Sequence, residues 1–103
     1  MTEISLEYEG RTRKLEISGH ADYAEHGKDI VCSAVSCLAQ TYLFYLRELE
    51  KRGRAFVDSL IISEGYFKLY ATMKSPEAEA AFEMLSCGLR SVSDSYPDNV
   101  KIF

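Results

Sequence analysis

The residues best suited to chemistry lie in one stretch of the chain, from Gly19 to Ser36. His20 belongs to a polar segment that contains glycine, and Cys32 follows it at the predicted start of a helix. A cysteine becomes a nucleophile when a base takes its proton and the local field favours the thiolate. An imidazole and a helix N-terminus supply these two conditions. The stretch therefore predicts the active site of a cysteine enzyme, with His20 as the base.

Asp29 is the predicted N-cap of this helix, which places Cys32 in the first helical turn. The sulfur then lies near unpaired backbone N–H groups, which are also natural donors to an oxyanion. Ser36 lies one turn further on the same face, either as an ordinary small polar residue or as a donor near the site. Two interpretations of Asp29 stay open: it only caps the helix, or it also orients His20 or holds the loop.

Packing and metal binding are the alternative explanations of these residues. Cysteine is often buried, but a polar, glycine-containing loop beside a helix start is an unusual place to bury Cys32. Zinc would find ligand atoms in His20, His26, Cys32 and Cys37, yet there is no Cys-x-x-Cys pair and the two cysteines face different sides of the helix. We therefore expect no metal and no other cofactor. His26 is expected to be solvated, and Cys37 and Cys87 to be structural.

Length and composition indicate a single domain over residues 1–103. An apolar content of 47% argues against disorder. The chain has 16 acidic and 12 basic residues, and a net charge of −4 argues against direct binding of nucleic acid. We see neither a membrane-length apolar run nor a signal peptide, and the three cysteines are expected to be thiols. A cytoplasmic protein without a membrane partner is the expectation.

Hydrophobic periodicity predicts the elements that must position the site. Alternation predicts a hairpin from strands at 2–8 and 13–18, and a loop at 19–29 leads to a helix that ends near Arg52. A strongly apolar strand at 55–63 pairs with one at 66–73. A second helix begins at Ser75-Pro76-Glu77 and stops at Tyr96-Pro97-Asp98. Val100, Ile102 and Phe103 could then form a short final strand. The order ββαββα, with an optional final β, predicts a two-layer α+β fold in which two helices pack on one face of a mostly antiparallel sheet.

The chain resembles the ribosomal-processing cysteine protease (Prp) family at these residues. The pattern of that family is Gly-His-Ala, then Gly-x-Asp-Ile-Val-Cys, then Ala-Val-Ser. The three blocks begin here at Gly19, Gly27 and Ala34, and their spacing also matches. Ser33 and Cys37 are departures, because the family often has alanine at both positions. The resemblance covers nearly the whole chain.

The resemblance implies that Cys32 is the nucleophile and His20 the general acid and base. It also implies supporting roles for Gly19, Asp29 and Ser36. The loop at 21–28 would contact the substrate, and its substrate-loop residues are Ala21, Asp22, Tyr23 and Gly27. Two interpretations of this loop stay open: a lid that closes over the site when substrate binds, or an exposed loop with no gating role.

The same resemblance implies a substrate and an assembly. Such a protein removes a short N-terminal extension from ribosomal large-subunit protein L twenty-seven, next to a Phe-Phe pair that precedes a small residue. It also implies a homodimer. Two other functions stay open: a non-catalytic ribosome-associated binding module that uses the same groove, and a thiol redox sensor at Cys32 and Cys37, whose spacing along one helix is poor geometry for a disulfide.

Overall fold

The helices and strands follow the predicted order, and the final strand is present. The computed structural model describes residues 1–25 and 27–103, so the expectation for His26 lies outside the described residues. The elements are β1 (Thr2–Glu9), β2 (Thr12–Ser18), α1 (Ile30–Lys51), β3 (Ala55–Ser63), β4 (Tyr66–Met73), α2 (Pro76–Ser95) and β5 (Val100–Ile102). The predicted order of strands and helices is therefore confirmed.

Side-chain caps begin both helices, as the sequence predicts. The carboxylate of Asp29 accepts hydrogen bonds from the backbone N–H groups of Val31 and Cys32 at the start of α1. The hydroxyl of Ser75 accepts one from Ala78, and Pro76 occupies the first position of α2. These caps fix where each helix begins, and for α1 this sets Cys32 in the first turn.

The sheet has the strand order β3-β4-β2-β1-β5, in which only β1 and β5 run parallel. β2 and β4 are therefore neighbours, although α1 and β3 separate them along the chain. Their antiparallel pairing places the β3–β4 turn beside the end of β2. There the N–H of Gly19 donates to the carbonyl of Gly65 at 2.8 Å. The strand order thus brings a distant turn next to His20.

Both helices cover one face of the sheet, so the predicted two-layer α+β fold is confirmed. The inward strand residues are buried as the alternation predicts, among them Ile4, Leu15, Ile17, Leu69 and Ala71. Phe82 of α2 is fully buried beside them. The core therefore lies between the sheet and the two helices, and the start of α1 lies at its rim.

Composition alone does not indicate burial in two places. β3 is apolar, but it is an outer strand of the sheet, and Phe56, Ile61 and Ile62 are exposed. The register places Phe56 opposite Thr72 and Ile61 opposite Lys68, on the face that the helices do not cover. Cys37 and Cys87 are also exposed, because each lies on a helix face that is turned away from the sheet.

The expectation that no apolar run reaches membrane length needs a correction. By length and composition alone, α1 is long and apolar enough to cross a bilayer. Its buried residues, which include Val35, Leu46 and Leu49, pack into the core against the sheet. The core helix of a globular protein meets the same two criteria, so this property of α1 is weak evidence for a membrane.

Candidate active site

A cavity of about 590 Å³ opens where the start of α1 meets the end of β2 and the β3–β4 turn. Cys32, His20, Gly19, Asp29 and Ser36, the predicted catalytic and supporting residues, all line it. The structure therefore brings together residues that α1 and β2 supply separately. Its volume suits a short segment of peptide rather than a single small ion.

Cys32 is half-buried at the third position of α1. Its sulfur accepts a hydrogen bond from the backbone N–H of Ala21 at 3.2 Å, and its own N–H donates to Asp29 at 2.9 Å. The sulfur therefore lies beside a backbone donor and the N-terminal end of the α1 dipole, the kind of place in which cysteine nucleophiles of other enzymes are found.

Asp29 both caps the helix and holds the loop. One carboxylate oxygen accepts from Val31 and Cys32 at 3.0 and 2.9 Å, and the other accepts from Tyr23 and Ala24 at 2.9 and 3.3 Å. Burial would raise the pKa of Asp29, but the four backbone N–H groups outweigh it and hold the pKa below its usual value. The carboxylate therefore stays ionised while it ties the loop to the helix start.

Two glycines allow close contacts around His20, one with its imidazole and one with the backbone just before it. Its imidazole lies against Gly65, where a β-carbon would come within 3.0 Å of Nε2. Gly19 has φ +86, and a β-carbon there would lie 2.4 Å from the carbonyl oxygen of Met1. Gly19 therefore lets the chain pass close to β1 just before His20 enters the cavity.

The four predicted substrate-loop residues differ in where they lie relative to the cavity. Asp22 lines the cavity, has φ +56, and pairs with the amino group of Met1 at 2.9 Å. Ala21 is buried beneath the loop. Tyr23 and Gly27 do not line the cavity: the Tyr23 ring packs on another aromatic ring, and Gly27, with φ +87, has open space around it.

One wall of the cavity was not predicted from the sequence. It consists of the β3–β4 turn and its flanks, from Ile62 to Phe67, and it faces Val35, Ala39 and Gln40 of α1. The Glu64-Gly65 turn is visible in the sequence, but its place beside His20 depends on the strand order. Among the residues that the structure describes, no group of three or more His, Cys, Asp or Glu side chains could hold a metal ion.

Comparison with known proteins identifies the family. The family model described as cysteine protease Prp matches residues 1–101. The chain belongs to this family of cysteine proteases. The ribosomal processing cysteine protease Prp of Mycoplasma genitalium is 30% identical, over 85% of this chain and 84% of that protein. The Prp of Bacillus subtilis is 31% identical, over 84% and 80% respectively.

Solved structures show the same fold. The structure of S. aureus Prp with a covalently linked product peptide has a TM-score of 0.81 at 20% identity, and the match covers 99% of this chain and 97% of that one. The structure of the same protease with a substrate peptide has a TM-score of 0.73 at 17% identity, with 100% and 98% covered. The two-layer α+β arrangement is therefore the fold of Prp proteases.

Removing the Asp29 carboxylate tests its role as a cap and loop anchor. We expect Asp29→Ala to lower the free energy of unfolding by about 1–2 kcal/mol at neutral pH, since α1 loses its cap. The folded pKa of Asp29 lies below the ordinary value of 3.8, so the carboxylate stabilises the fold above 3.8 and that contribution disappears as the pH falls further. Urea unfolding of the wild type and the variant at neutral and acidic pH measures this.

Ser75→Ala is the matched control, because it removes the cap of α2 and leaves the loop alone. Its effect on the free energy of unfolding should be similar in size at neutral pH. Most of that effect should remain in acid, because the capping hydroxyl is uncharged and only its contact with the exposed Glu77, whose pKa it lowers, depends on pH. A loss in Asp29→Ala that is equally large at neutral and at strongly acidic pH would contradict the role given to the ionised carboxylate.

Gly65→Ala tests whether the space at the β3–β4 turn positions His20. Gly65 and Gly10 have similar positive φ angles, +67 and +59, but only Gly65 has a neighbour within 4 Å of a β-carbon. Alanine at either position should cost about 1–2 kcal/mol of unfolding free energy. Only Gly65→Ala should also lower kcat/KM for a substrate peptide, by roughly tenfold, because the imidazole must shift. An equal kcat/KM in both variants would show that Gly65 does not position His20.

Proposed function

We propose that this protein is a cysteine endopeptidase in which Cys32 is the nucleophile and His20 is the general acid and base. One observation carries this proposal: both side chains line the same cavity at the start of α1, and a backbone N–H already points at the sulfur. We propose that its substrate is ribosomal large-subunit protein L twenty-seven, from which it removes a short N-terminal extension next to Phe-Phe-Ala or Phe-Phe-Ser.

The mechanism follows from these residue types. His20 takes the proton of the Cys32 thiol, and the sulfur attacks the carbonyl carbon of the scissile peptide bond. The carbonyl oxygen becomes an oxyanion, and the imidazolium donates its proton to the leaving amine as the bond breaks. A water molecule, deprotonated by His20, then attacks the thioester, and the acid product leaves with Cys32 restored.

We propose a donor to the oxyanion other than the helix-start N–H groups that the sequence suggests. The first-turn N–H groups of Val31 and Cys32 both donate to Asp29, so they are already occupied. The N–H of Ala21 contacts the sulfur itself, at 3.2 Å, and attack on the substrate releases it from the thiolate. We propose that Ala21 stabilises the oxyanion, an interaction worth about 2.7–4 kcal/mol in other enzymes.

The walls of the cavity support an aromatic substrate. Ile17, Val35, Ala39, Ile62 and Phe67 are apolar and surround the space that extends from Cys32 along α1. A phenylalanine side chain buries a large apolar area, so a groove of this composition favours it. The S. aureus structures with a substrate peptide and with a covalently linked product peptide support a peptide as the ligand of this groove.

The assembly and the setting belong to the same proposal. We propose a cytoplasmic homodimer, and the exposed apolar side chains of Phe44 and Tyr45 on α1 and Met84 on α2 support a contact surface on the helical layer. Direct contact with nucleic acid is not part of the proposal. Several basic side chains form ion pairs within the protein, as Arg13 does with Glu79.

Peptide cleavage by nucleophile variants tests the activity. A synthetic peptide that carries the Phe-Phe-Ala segment of the extension is incubated with the wild type, Cys32→Ala and Cys32→Ser, and the products are weighed by mass spectrometry. We expect cleavage by the wild type alone, because neither variant can form a thiolate. Cleavage by Cys32→Ala would exclude this nucleophile. Binding of the peptide without cleavage by the wild type would instead favour the binding module.

Ile62 and Ile61 allow a matched test of the groove. Both side chains are exposed on β3, but only Ile62 lines the cavity. We expect Ile62→Ala to raise KM for the Phe-Phe peptide by about fivefold, since about 1 kcal/mol of apolar contact is lost, while kcat changes little. Ile61→Ala should leave both constants unchanged. Equal KM values in the two variants would place the substrate elsewhere.

A further inference from the structure

We propose that Asn99 is a positioning residue that holds the backbone of Ala21 so that its N–H faces the sulfur of Cys32. This inference rests on the proposed roles of Cys32 as nucleophile and Ala21 as oxyanion donor. Asn99 lies outside the cavity, in the turn between α2 and β5, and belongs to none of the motifs of the segment from Gly19 to Ser36.

Asn99 is itself fixed by three hydrogen bonds. Its side-chain amide donates to the carbonyl oxygen of Ala21 at 2.9 Å. Its backbone carbonyl accepts from the N–H of Thr2 at 2.9 Å, and its backbone N–H donates to the carbonyl of Tyr96 at 3.0 Å. The amide therefore reaches Ala21 from a backbone that is anchored both to β1 and to the end of α2.

Ala21 is held on both of its polar sides. Its N–H donates to the Cys32 sulfur and its carbonyl accepts from Asn99, while its side chain is only 1% exposed. The next residue, Asp22, has φ +56, a conformation that non-glycine residues adopt only at a cost. The N–H belongs to the peptide before Ala21 and the carbonyl to the peptide after it, and the two peptides share the Cα of Ala21. Without the amide of Asn99, this Cα loses its anchor on the Asp22 side, and Ala21 can move so that its N–H leaves the sulfur.

A second contact from the same turn acts on the same loop. The rings of Tyr96 and Tyr23 pack edge to face, with centroids 5.2 Å apart at an angle of 78°. Asp29 holds the N–H groups of Tyr23 and Ala24 from the other side. The loop after His20 is thus fixed between the helix start and the C-terminal turn, and Asn99 supplies the polar contact to Ala21, the residue whose N–H touches the sulfur.

The charged and titratable groups around Cys32 stay in place when Asn99 changes. His20, Asp22, Asp29, Glu64 and Tyr66 line the cavity, and the amino group of Met1 pairs with Asp22. Asn99 carries no charge, so Asn99→Ala removes one donor and leaves this set of charges as it was. A change in the reactivity of Cys32 would therefore report the position of Ala21.

The test compares Asn99→Ala and the uncharged, similarly sized Asn99→Leu with Ser93→Ala. The hydroxyl of Ser93 donates to the carbonyl of Val100 at 3.0 Å, so the control loses a similar side-chain-to-backbone hydrogen bond in the same part of the fold. Two quantities are measured: the rate at which iodoacetamide alkylates Cys32 as a function of pH, resolved by fragment-ion mass spectrometry, and kcat and KM for the Phe-Phe-Ala peptide. Thermal melting shows that each variant is folded.

We expect both Asn99 variants to lower kcat by roughly tenfold with little change in KM, because a displaced oxyanion donor acts only in the transition state. Their alkylation profiles should move to higher pH, since the thiolate loses a donor. The melting temperature of Ser93→Ala should fall by as much as that of the Asn99 variants. Its kcat and the pH dependence of its alkylation rate should equal those of the wild type.

Wild-type alkylation and kcat in a folded Asn99→Leu protein would overturn the proposal, and so would an equal change in Ser93→Ala. The alkylation measurement needs no substrate. A wild-type protein that cleaves no peptide would therefore contradict the protease assignment, while the displaced profile would still support the positioning role.

Discussion

The Asp29 carboxylate is the contact on which the site depends. It is buried, it is ionised, and it accepts four backbone hydrogen bonds, two from the first turn of α1 and two from the loop that follows His20. A single rigid group therefore links the segment that carries the sulfur to the segment that carries the nearest backbone donor. Because both oxygens are in use, the loop cannot move far without exposing unpaired N–H groups or uncapping the helix.

This arrangement decides which groups remain for chemistry. A helix N-terminus usually offers its free N–H groups to an anion, but at α1 Asp29 already receives them from Val31 and Cys32. The positive end of the helix dipole still acts on the sulfur, and the hydrogen bond to it comes from Ala21. The surroundings of the sulfur thus combine a helix field with a loop donor, and the position of that donor depends on contacts from elsewhere in the fold.

The sequence predicts well those parts of the site that depend on neighbouring residues along the chain. It predicts poorly the parts that depend on how distant segments pack together. Capping residues, alternation and the Gly-His and Asp-Ile-Val-Cys blocks depend on neighbours along the chain, so Asp29, Cys32 and both hairpins could be recognised. The strand order could not be predicted from the sequence, because the pairing of β2 with β4 depends on how the whole core packs. The cavity wall at Ile62–Phe67 and the contact of Asn99 with Ala21 follow from that order. Exposure of β3 was missed for the same reason, since apolar composition does not tell an outer strand from a central one.

The rim of the sheet is a suitable place for such a site in a small protein. The core needs its buried side chains to stay as they are, because a chain of 103 residues has little stability to spare. At the rim, His20 and Ile62 are exposed and Cys32 is only half-buried, so their side chains are set by backbone anchors rather than by tight packing. Asp29 and Asn99 hold the backbone near Cys32, while Gly19 lets the chain pass close to Met1 and Gly65 leaves room for the imidazole of His20. The exposed wall of the groove, which contributes little to folding, is then free to determine which peptide binds.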